Sequence, residues 1–248
     1  MPSDYVMNKS QQRRKRNFGL RHQEFLKLAI KSFQEKGIEG ITLTELAARS
    51  EYSKGTWYNH FSSSAEVIAS LAVCNARLLT RYCGEIAASQ QEMLSNKLTS
   101  VFFDHVNHAI VNQEIWTCGV LAKTWRGNET DRSLWEDLEV AEKETAVIVL
   151  DLCRETGSQL REDELNRNLD TVRAAVAGLC VLNVVRPVYT WAKTVSQEQS
   201  IGLVLAAIRE AGLEPAPEGT VSTLWQQSRD RVERLSAEWR SEKANPAP

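Results

Sequence analysis

Residues 42–61 read TLTELAARSEYSKGTWYNHF, and their spacing predicts two short helices meeting across a tight turn. Leu43, Leu46 and Ala47 fall at i, i+3 and i+4, which makes one apolar stripe. Ala47 is small where a second helix must cross closely at a steep angle. Ser50-Glu51-Tyr52 fills the turn. Ser53 is placed to N-cap the next helix, because its oxygen can accept an orphan backbone N–H. Trp57 and Phe61, four apart, anchor that helix inward. Lys54, Thr56, Tyr58, Asn59 and His60 are then left on the outward side. A cation, hydroxyls, an amide and an imidazole suit phosphate oxygens and base edges in a DNA major groove. The alternative is an ordinary amphipathic helix pair, which the density of agreement in this stretch disfavours.

SKGTWYNHF, preceded by TLTELAARS and by FLKLAIKSFQEKGIEGIT, resembles the N-terminal domain of the TetR/AcrR transcriptional regulators, over roughly Gln23 to Leu71. Its most specific parts are Phe33 and Gly37 closing the first helix, Thr42 opening the second, and the run from Lys54 to Phe61. The resemblance implies an all-α chain with a helix-turn-helix head on a larger helical body that binds a ligand and dimerises. The expected DNA contacts are Thr42, Thr44, Ser53, Lys54, Gly55, Thr56, Tyr58, Asn59 and His60. Two positions depart from the family. Glu51 stands where members usually have Gly, and a left-handed backbone there would cost about 1 kcal/mol. Ser64 stands where they usually carry a phosphate-binding Lys.

Composition fits a cytoplasmic, mostly helical protein. At 248 residues and 42% hydrophobic the chain can bury a sizeable core, and a head of about 50 residues plus a larger body is a natural split. Six prolines and twelve glycines favour long helices over many turns. The apolar runs are too short for a membrane span, and the polar, basic N-terminus lacks the apolar core of a signal peptide. Cys74, Cys83, Cys118, Cys153 and Cys180 are scattered and odd in number, which reads as buried free thiols in a reducing compartment.

The net charge of −2 hides an asymmetry. Residues 1–64 hold eleven Lys/Arg against six Asp/Glu, so the head is basic and the body acidic. Such a molecule places one end on DNA and keeps the other off it. Arg13-Arg14-Lys15-Arg16 lies ahead of the first helix, and Arg14 and Arg16 are candidates for phosphate or minor-groove contacts from an arm unstructured without DNA. The competing reading is a solubilising tail.

The expected organisation is a basic flexible arm over 1–20, the helix-turn-helix domain over 21–70, a ligand-binding and dimerisation domain over 71–213, and a linker with a C-terminal amphipathic helix over 214–248. Helix one spans about 21–36 with Gly37 as its C-cap. A long helix starts near Ser64, followed by helices near 95–112, 114–126, 131–156, 162–185 and 196–211. Leu165, Leu169, Val172, Val176 and Leu179 step by four and three beside small residues that allow close helix approach. Ile201, Val204, Leu205 and Ile208 give the next helix an equivalent stripe. In the family, the last two body helices pair with their copies in a four-helix dimer bundle. The resemblance therefore implies Leu169, Val172, Val176, Leu179, Ile201, Leu205 and Ile208 as interface, the alternative being that both stripes serve the monomer core. Two-fold symmetry also follows from the short reach of one recognition helix, so the expected partner is a palindromic double-stranded operator.

The body is rich in aromatics, and family members commonly bind a small, often apolar effector between the middle helices. Phe103, Trp116, Trp125, Arg126 and Asp151 are the candidate ligand contacts, against the alternative that the tryptophans simply fill a core. His105 and His108 share a helix face without a third ligand, so no metal is expected, and no cofactor motif is present. No clustered acid, base and nucleophile points to catalysis. The sequence thus reads as a homodimeric DNA-binding transcriptional regulator, a repressor released by a small molecule. A DNA-bound interaction protein of the nucleoid-occlusion type, answering to a protein partner, is the runner-up.

Overall fold

The structure, a computed structural model, describes residues 9–90, 92–124, 132–155, 160–184 and 195–241. Helix α1 runs from Lys9 to Lys36 as one element of 28 residues, roughly 42 Å long at 1.5 Å per residue. It begins well inside the segment expected to be a flexible arm. Lys, Arg and Gln are good helix formers, and no proline interrupts them. Phe18 fastens the extension by stacking on His60, ring centroids 3.9 Å apart. Gly37 ends α1 at φ +66°, a left-handed conformation that glycine adopts freely. A short 3₁₀ turn over Gly37–Gly40 follows, closed back onto α1 by the Ser32 hydroxyl donating to the Gly40 carbonyl at 2.9 Å.

Helices α2 (Leu43–Ala48) and α3 (Lys54–Tyr58) form the helix-turn-helix. They pack on α1 and on the first turns of α4 (Ser64–Ala88) through Phe25, Ala29, Ile41, Leu43, Leu46, Trp57, Phe61, Val67 and Leu71, all nearly or fully buried. Phe25 stacks on Trp57 at 3.9 Å, and the Trp57 indole N–H donates to Ser50 Oγ at 2.8 Å. Helix α4 is long enough to belong to the head at one end and to the body at the other. Its start is capped by Ser63, which accepts the Glu66 N–H at 3.2 Å.

The body is completed by α5 (Leu94–Val111), α6 (Gln113–Thr124), α7 (Arg132–Glu155), α8 (Glu162–Val184), α9 (Gln197–Glu210) and α10 (Glu218–Ser241). No strand occurs among the described residues, and no helix among them is long and apolar enough to cross a membrane. Helix α5 sits at the centre, contacted by every other body helix. Its apolar side chains, Leu98, Val101, Phe102, Phe103 and Val106, join the core formed with α8, α9 and α10.

Among these apolar residues α5 also carries polar ones that are equally buried, Asp104, Asn107 and His108, with Asn112 as its C-cap. Burial without partners would be costly, and α10 supplies most of them. Arg231 grips Asp104 with two bonds, 2.9 and 3.1 Å. Asn107 donates to Ser228 at 2.8 Å and Asn112 to Ser236 at 2.9 Å, while Arg240 donates to Asn112 Oδ1 at 2.7 Å. Trp225 meets Phe103 edge to face at 5.1 Å. The tail helix is thus an integral wall of the body.

The expected interface residues are placed differently from their assignment. Leu169, Val172, Val176 and Leu179 on α8, with Ile201, Leu205 and Ile208 on α9, are all buried within the single chain. They pack into the core around α5, so these stripes are monomer core. The outward faces of the same helices instead carry Ala174, Gly178, Val181 and Leu182 on α8 and Gly202, Leu203 and Ala206 on α9. Val181, Leu182 and Leu203 are 44%, 49% and 50% exposed.

Candidate nucleic-acid interface and body cavity

Side-chain caps set the reading surface. Thr42 accepts the Glu45 N–H at 3.1 Å and so opens α2, while Ser53 accepts the Thr56 N–H at 3.2 Å and opens α3. Both caps satisfy orphan donors at helix starts. The Ser53 and Thr56 hydroxyls also bond each other at 2.9 Å, which fixes the first turn of α3. Ser50 closes the turn by donating to the Ala47 carbonyl at 3.1 Å. No non-glycine residue among those described has a positive φ. Glu51 therefore needs no left-handed backbone, and the cost anticipated for it does not arise.

On this frame Thr42, Thr44, Ser53, Lys54, Gly55, Tyr58 and Asn59 are exposed, and Thr56 is half-buried. Lys54 Nζ lies 5.8 Å from the Tyr58 ring centroid, so the two sit on the same side of the helix. His60 is not part of this surface. Helix α3 ends at Tyr58 with Asn59 as its C-cap, and the chain turns His60 inward, where it is 7% exposed. Its ring lies between Phe18 and Phe25, the latter edge-on at 4.9 Å. Burial holds the imidazole neutral, its pKa lowered to about 4 with His22 and Arg21 adding to the effect. Arg13, Arg14, Lys15 and Arg16 are exposed on the helical extension of α1, which Phe18 ties to His60 just beyond α3. The position of Ser64 is the first residue of α4.

Two capped helices across a turn, with hydroxyl, amide and ammonium groups outward and a basic helix alongside, define a helix-turn-helix DNA-binding head. Residues 25–71 match the family model of bacterial regulatory proteins, tetR family. This protein is a DNA-binding transcriptional regulator with a tetR-family head. Comparison with curated proteins and with solved structures returned no match.

The body contains a cavity of about 590 Å³. Its walls are the middle of α4 (Asn75, Ala76, Leu79), Phe102 and His105 of α5, and Trp116, Gly119 and Val120 of α6, with the inner faces of α7 and α8 opposite. Trp116 therefore lies on the cavity. Phe103 does not: it is fully buried on the other side of α5 against Trp225. Asp151 is exposed on α7 and pairs with Arg154 at 3.1 Å. Trp125 and Arg126 lie outside the described residues.

Asn75, His105 and Gly119 were not singled out as ligand contacts from sequence. Their signal was faint, a polar residue beside the apolar stripe of α4 and a glycine inside a helix. The cysteines Cys74, Cys83, Cys118, Cys153 and Cys180 are free thiols. Burial pushes Cys74 and Cys153 up to about 11 and the other three up to about 12, so they are protonated and unreactive at neutral pH.

Proposed function

We propose that this regulator is a homodimeric repressor that reads a palindromic operator and leaves it when a small molecule fills the body cavity. The observation that carries the reading is the path of α4. Val67, Ile68 and Leu71 are buried in the head core, and Asn75, Ala76 and Leu79, one to three turns along, wall the cavity. A ligand that presses on this segment acts on the helix that holds the head. It need only bind better to the arrangement whose heads are mis-spaced for DNA, since differential affinity of a few kcal/mol shifts such an equilibrium. A cavity of this size within the usual range for small-molecule sites supports an effector over a protein partner as the signal.

In this reading Thr42, Thr44, Ser53, Lys54, Gly55, Thr56, Tyr58 and Asn59 meet the major groove and its flanking phosphates. Arg14 and Arg16 add contacts from the α1 extension. The second copy packs on the outward face of α8 and α9, where Ala174, Gly178, Gly202 and Ala206 allow close approach and Val181, Leu182 and Leu203 supply apolar contact. The test is operator binding by the full chain, measured with and without compounds that occupy the cavity. Dissociation of the DNA complex on occupancy, with the dimer intact, is the expected result. Occupancy that leaves operator affinity unchanged would sink the release mechanism.

A further inference from the structure

The cavity is apolar over most of its wall, through Ala76, Leu79, Phe102, Trp116, Val149 and Leu169, and its charges are already matched. Lys123 at the rim is bonded to Glu142 at 2.6 Å, and Arg173 to Asp170 at 2.9 Å. Both pairs are about half exposed, so each cation already has a carboxylate beside it before a ligand arrives. Among the polar groups, Thr145 shares its hydroxyl with Thr80 at 2.8 Å and with the Ala141 carbonyl at 3.2 Å. Cys180 faces the His105 carbonyl at 3.6 Å.

Two groups have capacity to spare. His105 Nδ1 is 2.8 Å from the Val101 carbonyl. A carbonyl can only accept, so the ring proton sits on Nδ1 and Nε2 is left as a bare acceptor. Asn75 Oδ1 accepts from His108 Nε2 at 2.8 Å. That orients the amide so that its Nδ2–H₂ faces Gly119, where a Cβ would come within 2.9 Å of it. Beside its paired charges, the cavity thus presents one neutral acceptor, His105 Nε2, and one neutral donor, Asn75 Nδ2.

We propose that the effector is an uncharged, largely apolar molecule carrying a hydroxyl, which donates to His105 Nε2, with an oxygen of the ligand accepting from Asn75 Nδ2. The proposal rests on the reading of this cavity as the effector site. A carboxylate fits poorly, because it turns lone pairs toward the lone pair of His105 and finds each nearby cation paired. An ether of the same shape leaves the His105 nitrogen buried without a donor, which costs affinity even where shape is matched.

The experiment titrates the full chain with 2-naphthol, 2-methoxynaphthalene and 2-naphthoate by calorimetry at pH 7. Naphthol is expected to bind at least tenfold tighter than either analogue. His105→Phe should bring naphthol down to the level of the methoxy compound, and Gly119→Ala, which crowds the Asn75 amide, should weaken naphthol more than it weakens the methyl ether. Naphthoate binding as tightly as naphthol or tighter overturns the uncharged-ligand inference while the cavity reading stands. So does equal binding of naphthol and its methyl ether. Failure of all three probes to bind, with no thermal shift, overturns the cavity reading and the inference together.

Discussion

His60 stands apart from the outward surface that Tyr58 and Asn59 form. Trp57 and Phe61 are inward and Lys54 and Tyr58 outward, as the four-residue spacing of a helix requires. Position 60 follows Trp57 by three and so falls on the same inward face as Trp57 and Phe61, where its ring is claimed by Phe18 and Phe25. His60→Ala is therefore expected to lower thermal stability and leave base preference alone. Asn59→Ala and Thr56→Ala should change base preference, by about 1–3 kcal/mol for each lost base contact, whereas Tyr58→Phe should weaken all duplexes alike. Equilibrium binding to an operator and to random duplex separates the two classes. Selectivity untouched by Asn59→Ala would mean that this surface is turned away from the bases.

At the scale of the element, caps were easier to read than facings. Thr42, Ser53 and Gly37 mark helix ends through local chemistry, and the structure has both hydroxyl caps and the left-handed glycine at φ +66°. The start of α1 escaped because nothing local marks it. The stripes of α8 and α9 were legible as buried faces, but periodicity says that a face is covered and not by which chain. Here α5 covers them. The two faces predict opposite outcomes for one kind of substitution. Leu203→Glu should give a folded, helical monomer in sedimentation that no longer holds the operator. Val176→Glu should lose helicity and melt early, since an unpaired buried charge costs several kcal/mol. A well-folded Val176→Glu protein would contradict the core placement. The clamp between α5 and α10 belongs to this scale too. Arg231→Ala strands Asp104, which is fully buried, and should destabilise by about 3–5 kcal/mol in denaturant titration.

For the whole molecule, the fold was readable to within a few residues at most helix ends, because long amphipathic helices announce themselves. The cavity was less so, since whether aromatic residues fill a core or line a void depends on how helices cross. Trp116 lines it and Phe103 does not, though both sit in similar apolar runs. A global consequence attaches to the histidines, of which the chain has four. Burial lowers the pKa of every one: His22 and His105 fall below 6.5, His60 to about 4 and His108 to about 3. The unfolded chain therefore takes up protons near pH 6.5 that the folded state refuses. Stability is fully present above that value and declines as pH falls from 6.5 toward 4, by at most about 1.4 kcal/mol per pH unit for each histidine. Denaturant midpoints between pH 7.5 and 5 should record this decline, and His60→Phe should make it shallower. A midpoint that does not move over that interval would place the imidazoles in water.

The clamp of α10 also orders events in time. Tyr82 meets Ser236 across 154 positions of sequence, and Arg81 meets Glu238 across 157. A chain growing on the ribosome has made its DNA-reading head, and the helix joining it to the body, long before Arg231 exists. Through that interval Asp104 and Asn107 have only water for partners, and Phe103 lacks the indole that covers it. Distant pairings of this kind form late and slowly, and half-made bodies with open apolar surface are the species that chaperones hold and proteases cut. The body is thus completed only when the 24-residue α10 arrives and docks, a step remote from the DNA-reading head.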